Sequence, residues 1–313
     1  MILLFACVAS DDTTTRPPRQ GPPGPDDTEE IEDQREPPED TGPGDTGDTG
    51  EPIEPDPSGQ EACFPGADES WTTCLEVVDW DDAWGSDYDY PDPYNGSSQY
   101  LKPLRFIDLS AADPDLALAP NFVVDEFMQE WKGRFAIYQP HAVARMQQIR
   151  DRVGGAVTVN SGYRNVSYNA SVGGAEYSRH MYGDACDMKS SSASLGDLGE
   201  ICEDLGAGYV GYYDSHVHCD WRDDPLEAAF FEPGRSAAVH PTTEFRAELQ
   251  LGEVFRAPAE GWDEGEPLRE WSAFDEDGRL LAEATAREFR PPTEAVTIEV
   301  VVGRELVLNH RLR

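Results

Sequence analysis

Positive charge is scarce in this 313-residue chain: Lys and Arg number 24 against 62 Asp and Glu, for a formal net charge of −38. An acidic surface of that size repels nucleic acid and anionic lipid headgroups, which excludes nucleic-acid partners. The plain reading of the charge is solubility or salt adaptation. Long apolar runs are missing too, so no segment reaches the length of a transmembrane span. Between Ser10 and Gln60 there is no aromatic residue. The stretch DTGPGDTGDTGEPIEPDP cannot bury enough apolar surface to offset the entropy of ordering it, so residues 10–60 read as a disordered acidic tether. A flexible chain of about 50 residues spans roughly 40 Å.

The first residues, MILLFACVAS, lack the basic start and the long apolar stretch of a complete signal peptide. Residues 1–9 read as a truncated signal. The run Leu4-Phe5-Ala6-Cys7 ahead of a polar tether resembles a bacterial lipoprotein signal, with Cys7 as the lipidated residue. That implies export to the cell envelope, the periplasm or outer surface, with a possible lipid anchor.

Cysteines are few. Apart from Cys7 they are Cys63, Cys74, Cys186, Cys202 and Cys219, an odd number. Cys63 and Cys74 close a short loop and are expected to pair in an oxidising compartment. One of the other three is then left free, and their pairing stays open.

Residues 61–100 mix apolar anchors with turn signals and read as an irregular lead-in. Ordered patterning begins near Leu101. Val124, Phe127, Met128 and Trp131 recur at helical spacing, as do Val143, Met146 and Ile149 in the segment His141–Val153, which Gly154 ends. Ala156–Val159 alternates as a strand, Leu195–Leu205 reads as a helix, and Tyr209–Tyr213 and Val217–Cys219 read as extended. From about residue 235 to the end, short alternating runs separated by turns such as DEDG and VVGRE predict a small all-β region. It contains His240 and His310 and nothing resembling a site. The fold class expected is an α+β catalytic domain over residues 101–230, a small antiparallel sheet with packed helices, followed by an all-β, sandwich-like domain over 235–313.

Histidine is also scarce, six in all, and three of them fall in two short stretches. SRHMYGDACDM places His180 seven residues before Asp187, too far apart for one helical face. A tight path through Gly183 and Ala185, followed by a strand, brings the two together. In HVHCDWR, His216 and His218 share one face of a strand. Two imidazoles and a carboxylate suit Zn²⁺, with the fourth position left to water or substrate. Cys186 and Cys219 have the opposite parity, so they point away from such a site.

The residues SGYRN (Ser161–Asn165), Asn169, VGGAEYSRHMYGDACDM and YYDSHVHCDWR resemble the zinc D,D-peptidases, the M15-like family with the hedgehog-type fold that includes D-alanyl-D-alanine carboxypeptidases and murein endopeptidases. The resemblance covers Leu101 to Asp223. It implies zinc ligands at His180, Asp187 and His218, a general base at His216, and a substrate- or oxyanion-binding arginine at Arg164. Ser178 corresponds to a family serine that touches substrate or braces its loop. Asp220 is placed to orient a nearby ring. Some relatives keep their base three residues before the last ligand, where this chain has Ser215, which cannot serve. The implied substrate is a peptide of peptidoglycan. Carboxypeptidase and endopeptidase action stay open, as does a catalytically silent, zinc-stabilised wall-binding module.

Overall fold

The computed structural model describes residues 61–232, 239–263 and 265–312. Cys7, the signal-like residues 1–9 and the tether 10–60 lie outside the described residues. Within them the chain opens with a hairpin, β1 (Glu61–Phe64) and β2 (Thr73–Glu76). Cys63 and Cys74 face each other in its register and are bonded. Helix α1 (Pro140–Val153) starts on a proline, which has no amide proton to waste at that position, and stops at Gly154 in the left-handed conformation. Its buried face is Ala142, Val143, Met146 and Ile149, at the expected period.

A four-stranded antiparallel sheet forms the centre of the first region. Its strands are β3 (Val157–Ser161), β4 (Ala185–Ser190), β5 (Tyr209–Tyr212) and β6 (Val217–Asp220), in spatial order β5-β6-β4-β3. A short helix α2 (Val166–Ser171) follows β3, capped by the Asn165 side chain. Helix α3 (Leu195–Asp204) joins β4 to β5. Ser194 and Asp197 close a reciprocal cap at its start.

The pattern Val124–Trp131 does not make one helix. Only Val124–Phe127 is α-helical, Glu130–Lys132 forms a separate 3₁₀ turn, and Trp131 on it is among the exposed large apolar side chains. The Phe127 carbonyl accepts from Tyr163 N–H (2.8 Å), and a Cβ on Gly162 would lie 2.3 Å from that same oxygen. The chain therefore packs against the end of β3 instead of continuing its turn, a tertiary contact overriding helical periodicity.

The C-terminal region is a second four-stranded antiparallel sheet: β7 (Arg269–Phe274), β8 (Leu280–Thr285), β9 (Thr297–Val302) and β10 (Leu306–Arg311), in order β8-β7-β9-β10. Alternate residues of β7 and β9 are buried, and Trp271, Ala273, Ile298 and Val300 form a core with Phe255 and Phe289 from a short two-stranded ladder beside the sheet. The backbone ties this region to the first: Leu268 N–H donates to Tyr212 (3.0 Å) and Asp214 N–H to Glu266 (2.9 Å). Among the described residues no helix is long and apolar enough to cross a membrane.

Candidate metal centre

The central sheet aligns Ser161, Asp187, His218 and Gly211 in one row across its four strands. Side chains in such a row leave the same face. Asp187 and His218 are direct cross-strand partners, so a carboxylate and an imidazole meet without a loop having to deliver either. His180 comes from the single 3₁₀ turn Arg179–Tyr182, which runs into β4 through Gly183. Gly183 adopts a left-handed φ of 75°, and a Cβ there would stand 2.6 Å from the Ile137 carbonyl. This glycine is what permits the sharp return from His180 to Asp187.

The three donor atoms converge. His180 Nε2 lies 3.2 Å from Asp187 Oδ1 and 3.1 Å from His218 Nδ1, and His218 Nδ1 lies 2.9 Å from the same Asp187 oxygen. Donors about 2.0–2.1 Å from a tetrahedral zinc stand about 3.3 Å apart, so the triangle has the size of a zinc site's face. The outer nitrogens fix the inner ones. His180 Nδ1–H donates to the Gly162 carbonyl (2.6 Å), and His218 Nε2–H donates to Asp220 Oδ2 (3.1 Å). With His218 Nδ1 deprotonated, each ring would turn a lone pair toward the common point, the arrangement that metal-bound histidines adopt. His180 and Asp187 are buried while the His218 side chain keeps 12% exposure, so the cluster is reached from outside on the His218 side. The other set of suitable side chains, Glu61 with Cys63 and Cys74, is no rival, because its two sulfurs are bonded to each other.

Charge in the cluster is balanced from around it. Burial disfavours the ionised form of Asp187, but the two imidazoles outweigh burial and hold its carboxyl well below the usual range. Burial and the Arg164 charge push His180 down to about 4. Burial also acts against charge on His218, yet hydrogen bonds to Asp187 and Asp220 prevail and raise it to about 9. Asp220 is fully buried and is gripped by Arg222 through Nε (2.7 Å) and Nη2 (2.5 Å).

His216 sits just ahead of β6, its Nε2 3.8 Å from Asp187 Oδ1. Its ring stacks on Tyr213, with centroids 4.5 Å apart and planes within 10°. Nδ1 is 3.0 Å from the Ser215 hydroxyl. Nε2 is buried without a hydrogen-bond partner. Burial lowers its pKa, so the ring is neutral near pH 7 with a nitrogen facing the cluster. Arg164 Nη2 donates to Asp187 Oδ2 (2.5 Å) and its Nε to Ser161 (2.8 Å), which holds the second oxygen of the Asp187 carboxylate. Ser178 is buried at the start of the His180 turn and lines the cleft beside His218.

Two features were not legible in the sequence. Lys132, one of three lysines in the chain, is buried next to Arg164. It donates to Ser161 Oγ (3.1 Å), and burial followed by the Arg164 charge lowers its pKa to about 8. Its local signal was a basic residue ending a misread helical pattern. The second is that the C-terminal region, for which no site was expected, lends Phe245, Gly261 and Asp263 to the cleft wall.

The opposite face carries the cysteines. Cys219 is bonded to Cys202 of α3, and Cys186 is the free, buried thiol. Burial and the neighbouring Asp187 charge push that thiol up, which leaves it unreactive.

Residues 120–220, the span of this geometry, match the family model described as Peptidase M15. This chain carries an M15-family, zinc D,D-carboxypeptidase-like domain. The zinc D-Ala-D-Ala carboxypeptidase of Streptomyces albus G is 41% identical over 81 residues, 24% of this chain. The chain spans about a third of that relative, 31% of its length. The M15 match ends at Asp220, so Asp263 and the rest of the C-terminal wall lie outside it.

Proposed function

We propose that the protein is a zinc metallopeptidase that removes the terminal D-amino acid from peptidoglycan stem peptides. The observation that carries this reading is the convergence of His180 Nε2, Asp187 Oδ1 and His218 Nδ1 within about hydrogen-bonding distance of one another, each held by a further partner. Zinc, held by these three residues, supplies Lewis-acid polarisation of the scissile carbonyl and a water of lowered pKa. His216 Nε2 takes a proton from the attacking water and returns it to the leaving nitrogen as the C–N bond breaks, so water adds across the peptide bond to give carboxylate and ammonium. Neutrality at pH 7 and a nitrogen with no competing partner suit His216 to both transfers.

Terminal-residue cleavage is favoured over internal cleavage by a cavity of about 300 Å³ reached past Asp187 and His216, which is lined by Lys132, Arg164 and Asn160. Arg164 is already paired with Asp187, and Lys132 beside it is the further cation at that end of the cleft that suits a substrate carboxylate. The wall-binding module without activity is disfavoured by the same two facts: the base nitrogen faces the cluster, and a cleft opens beside it. Two disulfides among the described residues fit an oxidising, extracytoplasmic compartment. Lipidation at Cys7 belongs to the same reading, and the mass of the detergent-extracted protein tests it.

The deciding experiment is digestion of purified peptidoglycan by the full chain, with and without a chelator, followed by mass spectrometry. Release of D-alanine that stops with chelator and returns with zinc is the expected result. Release of no amino acid or peptide under any divalent-metal condition overturns the enzyme reading.

A further inference from the structure

Three apolar side chains, Trp131, Tyr168 and Val172, line the cavity of about 300 Å³ that leads past Asp187 and His216. Trp131 stands on the 3₁₀ turn Glu130–Lys132, Tyr168 on helix α2, and Val172 directly after it. Trp131 is 68% exposed and Val172 40%, while Tyr168 is half-buried. None of the three belongs to either hydrophobic core. The Tyr168 and Trp131 rings meet with centroids 5.3 Å apart and planes at 89°, so the pair is braced while most of the indole stays in water. Exposed apolar surface gathered on a cavity beside a polar centre is the usual lining of a ligand site.

Lys132 connects this ledge to the reaction. Its ammonium lies 5.0 Å from the centroid of the Trp131 ring. It donates to Ser161 Oγ (3.1 Å) and to the Asn160 carbonyl (3.4 Å), both uncharged, and among the described residues it forms no ion pair. The Asp187 carboxylate within its electrostatic reach is already held by Arg164 and two imidazoles. An ammonium has three hydrogens, so one is left for an acceptor in the cavity. A carboxylate oxygen accepting it stands about 2.8 Å from Nζ, which brings the carbon bearing the side chain of that residue within reach of the indole.

The structure assigns to Trp131, Tyr168 and Val172 an apolar subsite for the side chain of the terminal D-amino acid, and with it a preference for aliphatic or aromatic leaving residues larger than D-alanine. The assignment rests on the peptidase reading, with the leaving carboxylate at Lys132, and deepens it by naming the class of leaving residue. A methyl group covers little of an indole, whereas a branched or ring side chain removes apolar area of both partners from water.

The test uses the full, zinc-loaded chain and two peptides that differ only in their last residue, D-alanine or D-leucine. Release of D-leucine is expected to show a kcat/KM about tenfold or more above that of D-alanine. Trp131→Ala should bring the ratio close to one, and Trp131→Phe should keep part of it. The exposure of Trp131 means that neither change removes core packing. An equal or lower kcat/KM for D-leucine in the wild-type chain overturns the subsite and needs no variant. Calorimetry of the same two peptides with the chelator-treated chain separates this from the peptidase reading. Tighter binding of the D-leucine peptide that Trp131→Ala abolishes supports the subsite even where neither peptide is cleaved; equal binding overturns it. A Trp131→Ala change that weakens binding of peptide-free glycan chains and leaves the D-leucine preference intact gives the ledge to sugar and overturns it as well.

Discussion

Two four-stranded antiparallel sheets centre the two regions of the chain, and they bury largely opposite kinds of side chain. In the C-terminal sheet, β7 and β9 bury every second residue: Trp271, Ala273, Ile298, Val300 and Val302, with Arg269 at the start of β7 satisfied by the Ala257 and Pro267 carbonyls and by Glu266. In the central sheet both faces are covered. One face of β4 and β6 buries Cys186 and Cys219, and the other buries Asp187 and holds His218 nearly covered. Burying an ionised carboxylate is costly unless it is paired and hydrogen-bonded. Asp187 meets that requirement through His180, His218 and Arg164. The comparison teaches that the C-terminal sheet is held by apolar area, whereas the polar face of the central sheet is held by a closed set of partners whose members are not replaceable singly.

That contrast is broken most severely at the ligands. His180→Ala should abolish stoichiometric zinc in the purified chain and lower activity by at least about 10³-fold, as read by metal analysis and D-alanine release. Its counterpart in the other sheet, Trp271→Ala, should cost about 3–5 kcal/mol of stability while zinc content stays stoichiometric, as read by denaturant unfolding and metal analysis. A Trp271→Ala protein that folds stably but loses its zinc would erase the distinction between the sheets. His216→Ala should reduce kcat by about 10²-fold or more with zinc content unchanged. Equal activity would remove it as the base.

Proton competition sharpens the same contrast. In the metal-free chain His218 stays protonated up to about pH 9, and a metal must displace that proton. Apparent zinc affinity should therefore rise with pH, about tenfold per unit, and level off near pH 9. Competition against a zinc indicator from pH 6 to 9 measures the slope. A flat profile would mean that His218 carries no proton to lose. The smallest effect is expected at Asp220→Asn, which leaves the ligands in place but loosens the grip on the His218 ring. It should weaken zinc binding by about 10–100-fold.

The apolar sheet was readable from alternation, since burial on one face of a strand repeats every second residue. The turns DEDG and VVGRE fall where the chain reverses, at residues 275–278 and 303–305. The polar sheet was readable for a different reason. Its strand periodicity is weak, but His180, Asp187, His216 and His218 stand at spacings that a turn and two paired strands bring together. Parity also placed Cys186 and Cys219 away from the cluster, where the Cys202–Cys219 bond and the free Cys186 are found. The helix over Val124–Trp131 was misread because its end is decided by Gly162 and Tyr163, some 35 residues downstream. Lys132 and Asp263 escaped for the same reason. Each owes its place to contacts made far along the chain, and neither lies in a motif.

The Cys202–Cys219 link leaves its mark on how the molecule matures. Cys219 is the residue after His218, so the bond rivets helix α3 to the very strand that presents the last donor. A freshly synthesised chain in a reducing cytosol lacks that rivet, and its donor strand is kept in line by backbone pairing alone. Forming the bond stiffens the donor strand, so an oxidised chain holds its last donor more firmly than a reduced one.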